Sequence, residues 1–191
     1  MKDKENILFD GDDGLYKEVI DQSILYGEYG CGQSTNWVLR NSKADIHSVE
    51  TSREWFEITK KNNVKYQERL NIKLIDLGEV GNWGRPINYD NSNKFFHYTN
   101  SIWELSEKPD TVLIDGRFRV CCFLTSLKYA KQGTKIIFDD YCNRPHYHIV
   151  ENHIQKEETF RRQCLFIVPN QKDINFIDLD KDIQNFRFVM D

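Results

Sequence analysis

Mostly apolar residues gather in short runs at 24–26, 46–50, 71–77, 111–115, 135–138, 164–168 and 174–177, with longer stretches of helical spacing between several of them. Runs this short, bounded by glycines, acids or turn residues, read as strands of a sheet covered on both faces. Leu15, Tyr16, Val19 and Ile20 fit one face of a short helix over 15–22, leading into the first run. A second helix opens at Ser34 and Thr35. At 51–63, Thr51 and Glu54 form a capping box, with Trp55, Phe56 and Ile58 expected on the buried face. Val120, Phe123, Leu124 and Leu127 share a further helical face that Gly133 stops. Pro145 suits a first helical turn, with Ile149, Val150, His153 and Ile154 facing inward.

Strands alternating with helices predict an α/β chain: a doubly wound, mostly parallel sheet of about seven strands. A single domain over 1–191 is expected, with 1–22 as its lead-in. Residues 78–101 break the pattern, carrying three glycines, a proline, five asparagines and six aromatic rings counting His97, without a clear period. A loop this long is usually functional or disordered, and its rings argue against disorder, so it reads either as a loop packed on itself or as a lid for an acceptor, with Trp83 in contact with that acceptor.

Composition narrows the picture. With 191 residues, 39% apolar and 13% aromatic, the chain can bury one sizeable core, and nothing suggests two. Its net charge of -4 and scattered Lys and Arg disfavour nucleic acid. Residues 1–14 have no apolar centre for a signal peptide and no stretch is long enough to span a bilayer, so a cytoplasmic protein is expected. Cysteines 31, 121, 122, 142 and 164 are odd in number and lack Cys-x-x-Cys spacing, which suits reduced thiols. The acidic run at 10–14 lacks the pattern of a calcium loop and reads as a solvated turn.

The chemistry collects at strand ends. The first run stops in Gly27-Glu28-Tyr29-Gly30-Cys31-Gly32, where glycines permit a tight turn and close approach of a ligand, and the helix start at Ser34 and Thr35 offers free N–H groups. Glu50 closes the second run eighteen residues after Gly32, near the spacing at which a carboxylate reaches a ribose. Two acids flanking a glycine turn suit an adenosyl cofactor without phosphates, and S-adenosylmethionine brings an ammonium and a sulfonium that acids favour. Asp115, Asp139 and Asp140 end later strands, and in such sheets ligands sit at the carboxyl ends of strands.

Glu28-Tyr29-Gly30-Cys31-Gly32 resembles the first motif of class I S-adenosylmethionine-dependent methyltransferases, and Glu50 resembles their ribose-binding acid. The segments EYGCGQST, HSVETSREW, DLGEVGNWGRP, LIDGRFRVCC and DDYCNRPHY together resemble a group of bacterial-type methyltransferase proteins with an IDGRFR motif. Asp115-Gly116 and Asp139-Asp140-Tyr141 resemble, more distantly, the macrocin-type sugar O-methyltransferases, in which acids at such places hold magnesium. Arg117 stands where those enzymes usually carry another acid, and Ser34 replaces the last glycine of the first motif. The resemblance implies methyl transfer to a hydroxyl of a small or sugar-like acceptor, or a phosphorylated glycan precursor. Cofactor contacts are expected from Glu28, Gly30, Gly32, Ser34, Thr35, Glu50 and Asp115.

Two routes for the acceptor proton follow. In one, Asp115, Asp139 and Asp140 bind Mg²⁺, which relieves their repulsion and lowers the hydroxyl pKa. In the other, arginines neutralise the acids, and His146, His148 or a free Asp such as Asp115 or Asp140 acts as the base. Arg117 and Arg119 either pair with those acids or bind an anionic group of the acceptor. A nicotinamide-dependent oxidoreductase and a non-catalytic binding member of the fold are the rival classes.

Overall fold

The computed structural model describes residues 7–191, so the first six residues of the expected lead-in lie outside the described residues. In chain order the strands are β1 (Leu25–Tyr29), β2 (Asp45–Glu50), β3 (Leu70–Leu74), β4 (Thr111–Ile114), β5 (Lys135–Phe138), β6 (Glu158–Phe160) and β7 (Gln163–Ile167). They form one sheet in the order β3-β2-β1-β4-β5-β7-β6. The first five strands run parallel, whereas β7 pairs antiparallel with β5 and with β6. Strand order reverses between β1 and β4, which leaves a crevice at their carboxyl ends. Every residue of β1 and β4 is buried, as expected of central strands covered on both faces.

One face carries α1 (Gly14–Ile20), α2 (Gln33–Asn41) and α3 (Arg53–Asn62), and its core joins Tyr16, Val38 and Leu39 to Tyr26 and Ile46. The other carries α4 (Phe95–Asn100), α5 (Arg119–Tyr129), the 3₁₀ segment Pro145–Asn152 and α6 (Phe176–Phe186). Ring packing is dense there: Phe123 meets Phe166 edge-on with centroids 4.7 Å apart, and Phe138 lies 4.9 Å from Tyr147. Each such ring contributes about 1.5–3 kcal/mol by its removal from water.

Several expectations are corrected. Residues 174–177 do not form a strand, because the Asn175 carboxamide accepts the Ile177 and Asp178 N–H groups and starts α6. The seventh strand is instead the three-residue β6 at the sheet edge. Ser52, not Thr51, caps α3 by accepting the Trp55 N–H, and the buried residue within that helix is Thr59 while Ile58 is exposed. Helix α5 is buried from Arg119 to Leu127 on every side, since it lies between the sheet, α6 and the 3₁₀ segment. The run at 71–77 keeps strand geometry only to Leu74. Among the described residues, no helix is long and apolar enough to cross a membrane.

Residues 78–101 divide in two. The latter part folds into α4, where Phe95, Tyr98 and Thr99 are buried, and the Thr99 carbonyl accepts the Tyr29 hydroxyl at 2.6 Å. The former part makes a small hairpin, with Val80 bridged to Pro86 and Trp83 at its tip.

Candidate active site

A cavity of about 800 Å³ opens at the carboxyl ends of β1, β2 and β4, within the size range of small-molecule sites. Its first wall is the glycine turn after β1. Gly30 has φ +90°, and a Cβ there would come 3.0 Å from the Gly116 Cα. At Gly116 a Cβ would meet the Tyr98 hydroxyl at 2.1 Å and the Tyr29 carbonyl carbon at 2.8 Å. The turns after β1 and β4 therefore touch backbone to backbone. Gly32, Ser34, Glu50 and Asp115 line the cavity with Gly30.

Glu28 and Thr35 do not line it. Glu28 is fully buried beneath the turn, where Oε2 accepts the Tyr26 and Ser34 hydroxyls at 3.0 Å each and Oε1 accepts the Thr35 hydroxyl. Thr35 Oγ1 in turn accepts the Gly32 N–H at 2.9 Å. These two residues shape the turn and the start of α2. Burial pushes the Glu28 carboxyl up from 4.5 to about 7, against the opposing hydroxyl donors.

Glu50 is held mainly by backbone: Oε1 accepts the Thr51 and Ser52 N–H groups at 2.7 Å each and, at 3.4 Å, the Thr51 hydroxyl, and Oε2 accepts the Cys31 N–H at 3.0 Å. A carboxylate oxygen has two lone pairs, so Oε2 retains capacity for a ligand hydroxyl. Gly84 of the hairpin presses on this acid: its carbonyl accepts the Thr51 hydroxyl at 2.7 Å, and a Cβ at Gly84 would lie 3.1 Å from Glu50 Oε1. Beside it Trp83, with φ +59°, stacks on Trp55 at 14° between planes and 6.4 Å between centroids. The hairpin thus covers the Glu50 end of the cavity.

Past Gly116 the acids are met by arginines. Buried Arg119 donates to the carbonyls of Gly116, Asp139 and Asp115, and pairs with Asp115 Oδ1 at 2.9 Å and Asp140 Oδ2 at 3.2 Å. Asp140, at φ +59°, also receives Arg144 at 2.7 Å and Arg162 at 3.2 Å. Asp139 is fully buried and accepts from Arg162 and from Gln163 Nε2 at 3.1 Å, away from the cavity wall. Withdrawal from water raises the Asp115 carboxyl; Arg119 opposes this, and Asp139 and Asp140 add to it. The side chain keeps 31% of its surface, so solvent in the cavity moderates the rise.

This lattice does not fit the expected magnesium ion. A hard cation needs several carboxylate oxygens free to converge, and here Asp139 faces away while Asp140 is held by three guanidinium groups. Among the described residues, no group of three His, Cys, Asp or Glu is arranged to hold a metal. Neither candidate histidine lines the cavity: His146 is exposed against Tyr147, and the His148 Nε2 bonds the Tyr141 carbonyl at 3.0 Å. Sequence reasoning missed Arg144, Arg162, Tyr98 and the segment Ile7–Asp10 as cavity walls, and placed Trp55 in the core. The acidic turn is not simply solvated, since Asp10 pairs with Arg162 and Asp12 with Arg161.

The sequence matches no protein-family model and no curated protein. Solved structures do match. A methyltransferase-like protein from Silicibacter pomeroyi is 25% identical, with a TM-score of 0.84 over 95% of this chain and 96% of that one. An O-methyltransferase from Bacillus cereus, solved with S-adenosylhomocysteine, is 16% identical, with a TM-score of 0.60 over 86% of this chain and 83% of its own. The O-methyltransferase of tomaymycin synthesis from Streptomyces achromogenes, solved with S-adenosylmethionine, is 13% identical, with a TM-score of 0.55 over 82% and 77%. The chain has the Rossmann-like fold of the class I S-adenosylmethionine-dependent methyltransferases.

Proposed function

We propose that this chain, a class I methyltransferase by its fold, transfers the methyl group of S-adenosylmethionine to a hydroxyl of a small acceptor. The observation that carries the reading is Glu50, fixed by three backbone N–H groups with acceptor capacity left on Oε2 and no cation bonded to it among the described residues. Such a carboxylate suits vicinal ribose hydroxyls, and the nearby rings of Trp55 and Trp83 offer apolar surface for a base. One cavity runs from Glu50 past Gly30 and Gly116 to Asp115, which suits a chain of atoms crossing from the β2 side to the β4 side.

When bound, S-adenosylmethionine supplies a methyl group on a sulfonium, which departs as a neutral thioether. The protein's part is to orient the acceptor and take its proton. Asp115 fits that second role: it lines the cavity, Arg119 holds Oδ1, and Oδ2 takes no hydrogen bond among the described residues. Its raised pKa makes it a stronger base than an ordinary carboxylate. Arg119 keeps the side chain in place and balances the charge of Asp140 when Asp115 gains a proton.

The test is Glu50→Gln, which keeps one acceptor oxygen for the Thr51 and Ser52 amides. S-adenosylhomocysteine affinity, measured by calorimetry, is expected to fall by about 1.5–3 kcal/mol, roughly 10- to 150-fold, as charge-assisted hydrogen bonds are lost. Undiminished affinity in a folded variant, or tighter binding of NAD than of S-adenosylhomocysteine by the wild type, would overturn the reading.

A further inference from the structure

Arg117 differs from the other arginines that line the cavity. Arg119, Arg144 and Arg162 each pair with strand-end acids, whereas the Arg117 side chain makes no hydrogen bond or ion pair among the described residues. Its Nε is buried without an acceptor, and leaving a buried donor unmet costs about 1–3 kcal/mol. The backbone around it is well held: its N–H donates to the Tyr98 hydroxyl at 3.3 Å, and its carbonyl accepts the Cys122 thiol at 3.3 Å. Asp191 lies within electrostatic reach without bonding it, and Asp191 Oδ1 accepts the Arg119 N–H at 3.0 Å instead. A half-buried guanidinium beside a second guanidinium, with an unmet donor in a cavity wall, is arranged for a planar anion.

We propose that the acceptor carries a carboxylate or phosphate group and that Arg117 binds it. The inference rests on the methyl-transfer reading, and position assigns the anion to the acceptor. Arg117 follows β4 two residues after Asp115, while Glu50 ends β2 on the far side of β1. An anion seated on Arg117 brings the remainder of the acceptor toward the Asp115 carboxylate that takes its hydroxyl proton. The three neighbouring arginines are already paired with acids, so discrimination between anionic and neutral acceptors falls to Arg117.

The experiment compares wild type, Arg117→Gln and Arg117→Lys. Each protein is titrated with S-adenosylhomocysteine and with 5′-methylthioadenosine, which lacks the amino-acid carboxylate. Each is then saturated with S-adenosylhomocysteine and melted with inorganic phosphate or acetate against chloride at equal ionic strength. Phosphate or acetate is expected to raise the melting temperature of the wild type, less so that of Arg117→Lys, and not that of Arg117→Gln, with cofactor-product affinity unchanged across all three. If Arg117→Gln weakens S-adenosylhomocysteine by about ten-fold or more while sparing 5′-methylthioadenosine, the residue serves the cofactor's own carboxylate and the proposal is overturned. Equal anion effects in all three proteins, or none in the wild type, overturn it as well. Failure of the wild type to bind S-adenosylhomocysteine would instead remove the methyl-transfer reading beneath it.

Discussion

The two halves of the cavity solve the same electrostatic problem in opposite ways. At the ends of β1 and β2, Glu28 and Glu50 are met by hydroxyls and backbone N–H groups, and no cation is bonded to either among the described residues. At the ends of β4 and β5, Asp115, Asp139 and Asp140 are met by Arg119, Arg144 and Arg162. The first arrangement leaves an acid either holding its proton, as Glu28 tends to, or free to accept ligand hydroxyls, as Glu50 is. The second neutralises its acids, while Arg117 lines the cavity with a side chain that makes no hydrogen bond or ion pair among the described residues. A cluster of carboxylates thus does not by itself imply a metal; what faces each oxygen decides.

The largest expected effect comes from dismantling the arginine side. Arg119→Met removes the cation shared by Asp115 and Asp140 and should cost about 3–5 kcal/mol in urea denaturation, because breaking a buried pair strands its partners. A loss under about 1 kcal/mol would mean that Arg144 and Arg162 suffice, and that the two halves differ less than the geometry implies.

Next is the pH dependence of the hydroxyl side. The folded Glu28 carboxyl titrates near 7 against 4.5 unfolded, so the folded state binds the extra proton in that window. Its stabilising contribution is therefore full below the unfolded value and is lost as pH rises through about 7. Glu28→Gln stays neutral, so relative to wild type it should gain up to about 3 kcal/mol between about pH 5 and pH 8. Parallel stability–pH curves for the two proteins would show that Glu28 is charged throughout.

The smallest effect belongs to the hairpin. Trp83 is mostly exposed and stacks on Trp55, so Trp83→Ala should weaken S-adenosylhomocysteine by about 0.5–1.5 kcal/mol and leave turnover at saturating cofactor little changed. A loss in acceptor turnover instead, with cofactor affinity intact, would restore the acceptor-lid role expected from sequence and blur the division between the halves.

What was legible in the sequence was what is local. The glycine turn, Glu50 and the acids ending β4 and β5 follow from apolar runs and the residues that close them, and they fixed the order of the site along the chain. Arg162 was not legible, since it comes from the turn between β6 and β7 and reaches Asp139 only through the antiparallel return of the sheet. The strand-end position of Glu28 did not reveal that it is buried, with Ser34 and Thr35 folded back over it. The start of α6 did carry a signal, Asn175 followed three residues later by Asp178, that the apolar residues at 174–177 obscured.

The contact between Gly30 and Gly116 bears on how the sequence can change. These positions lie far apart in the chain, and each already lacks a side chain. A bulky residue that collides with another side chain can be tolerated when its neighbour is trimmed, and suppressor genetics finds such pairs. At Gly30 the neighbour is backbone, so no second-site truncation at 116 can make room for a substitution. The two turns can drift only together, by moving the strands that carry them, and that ties the histories of β1 and β4 more closely than any pair of interchangeable side chains would.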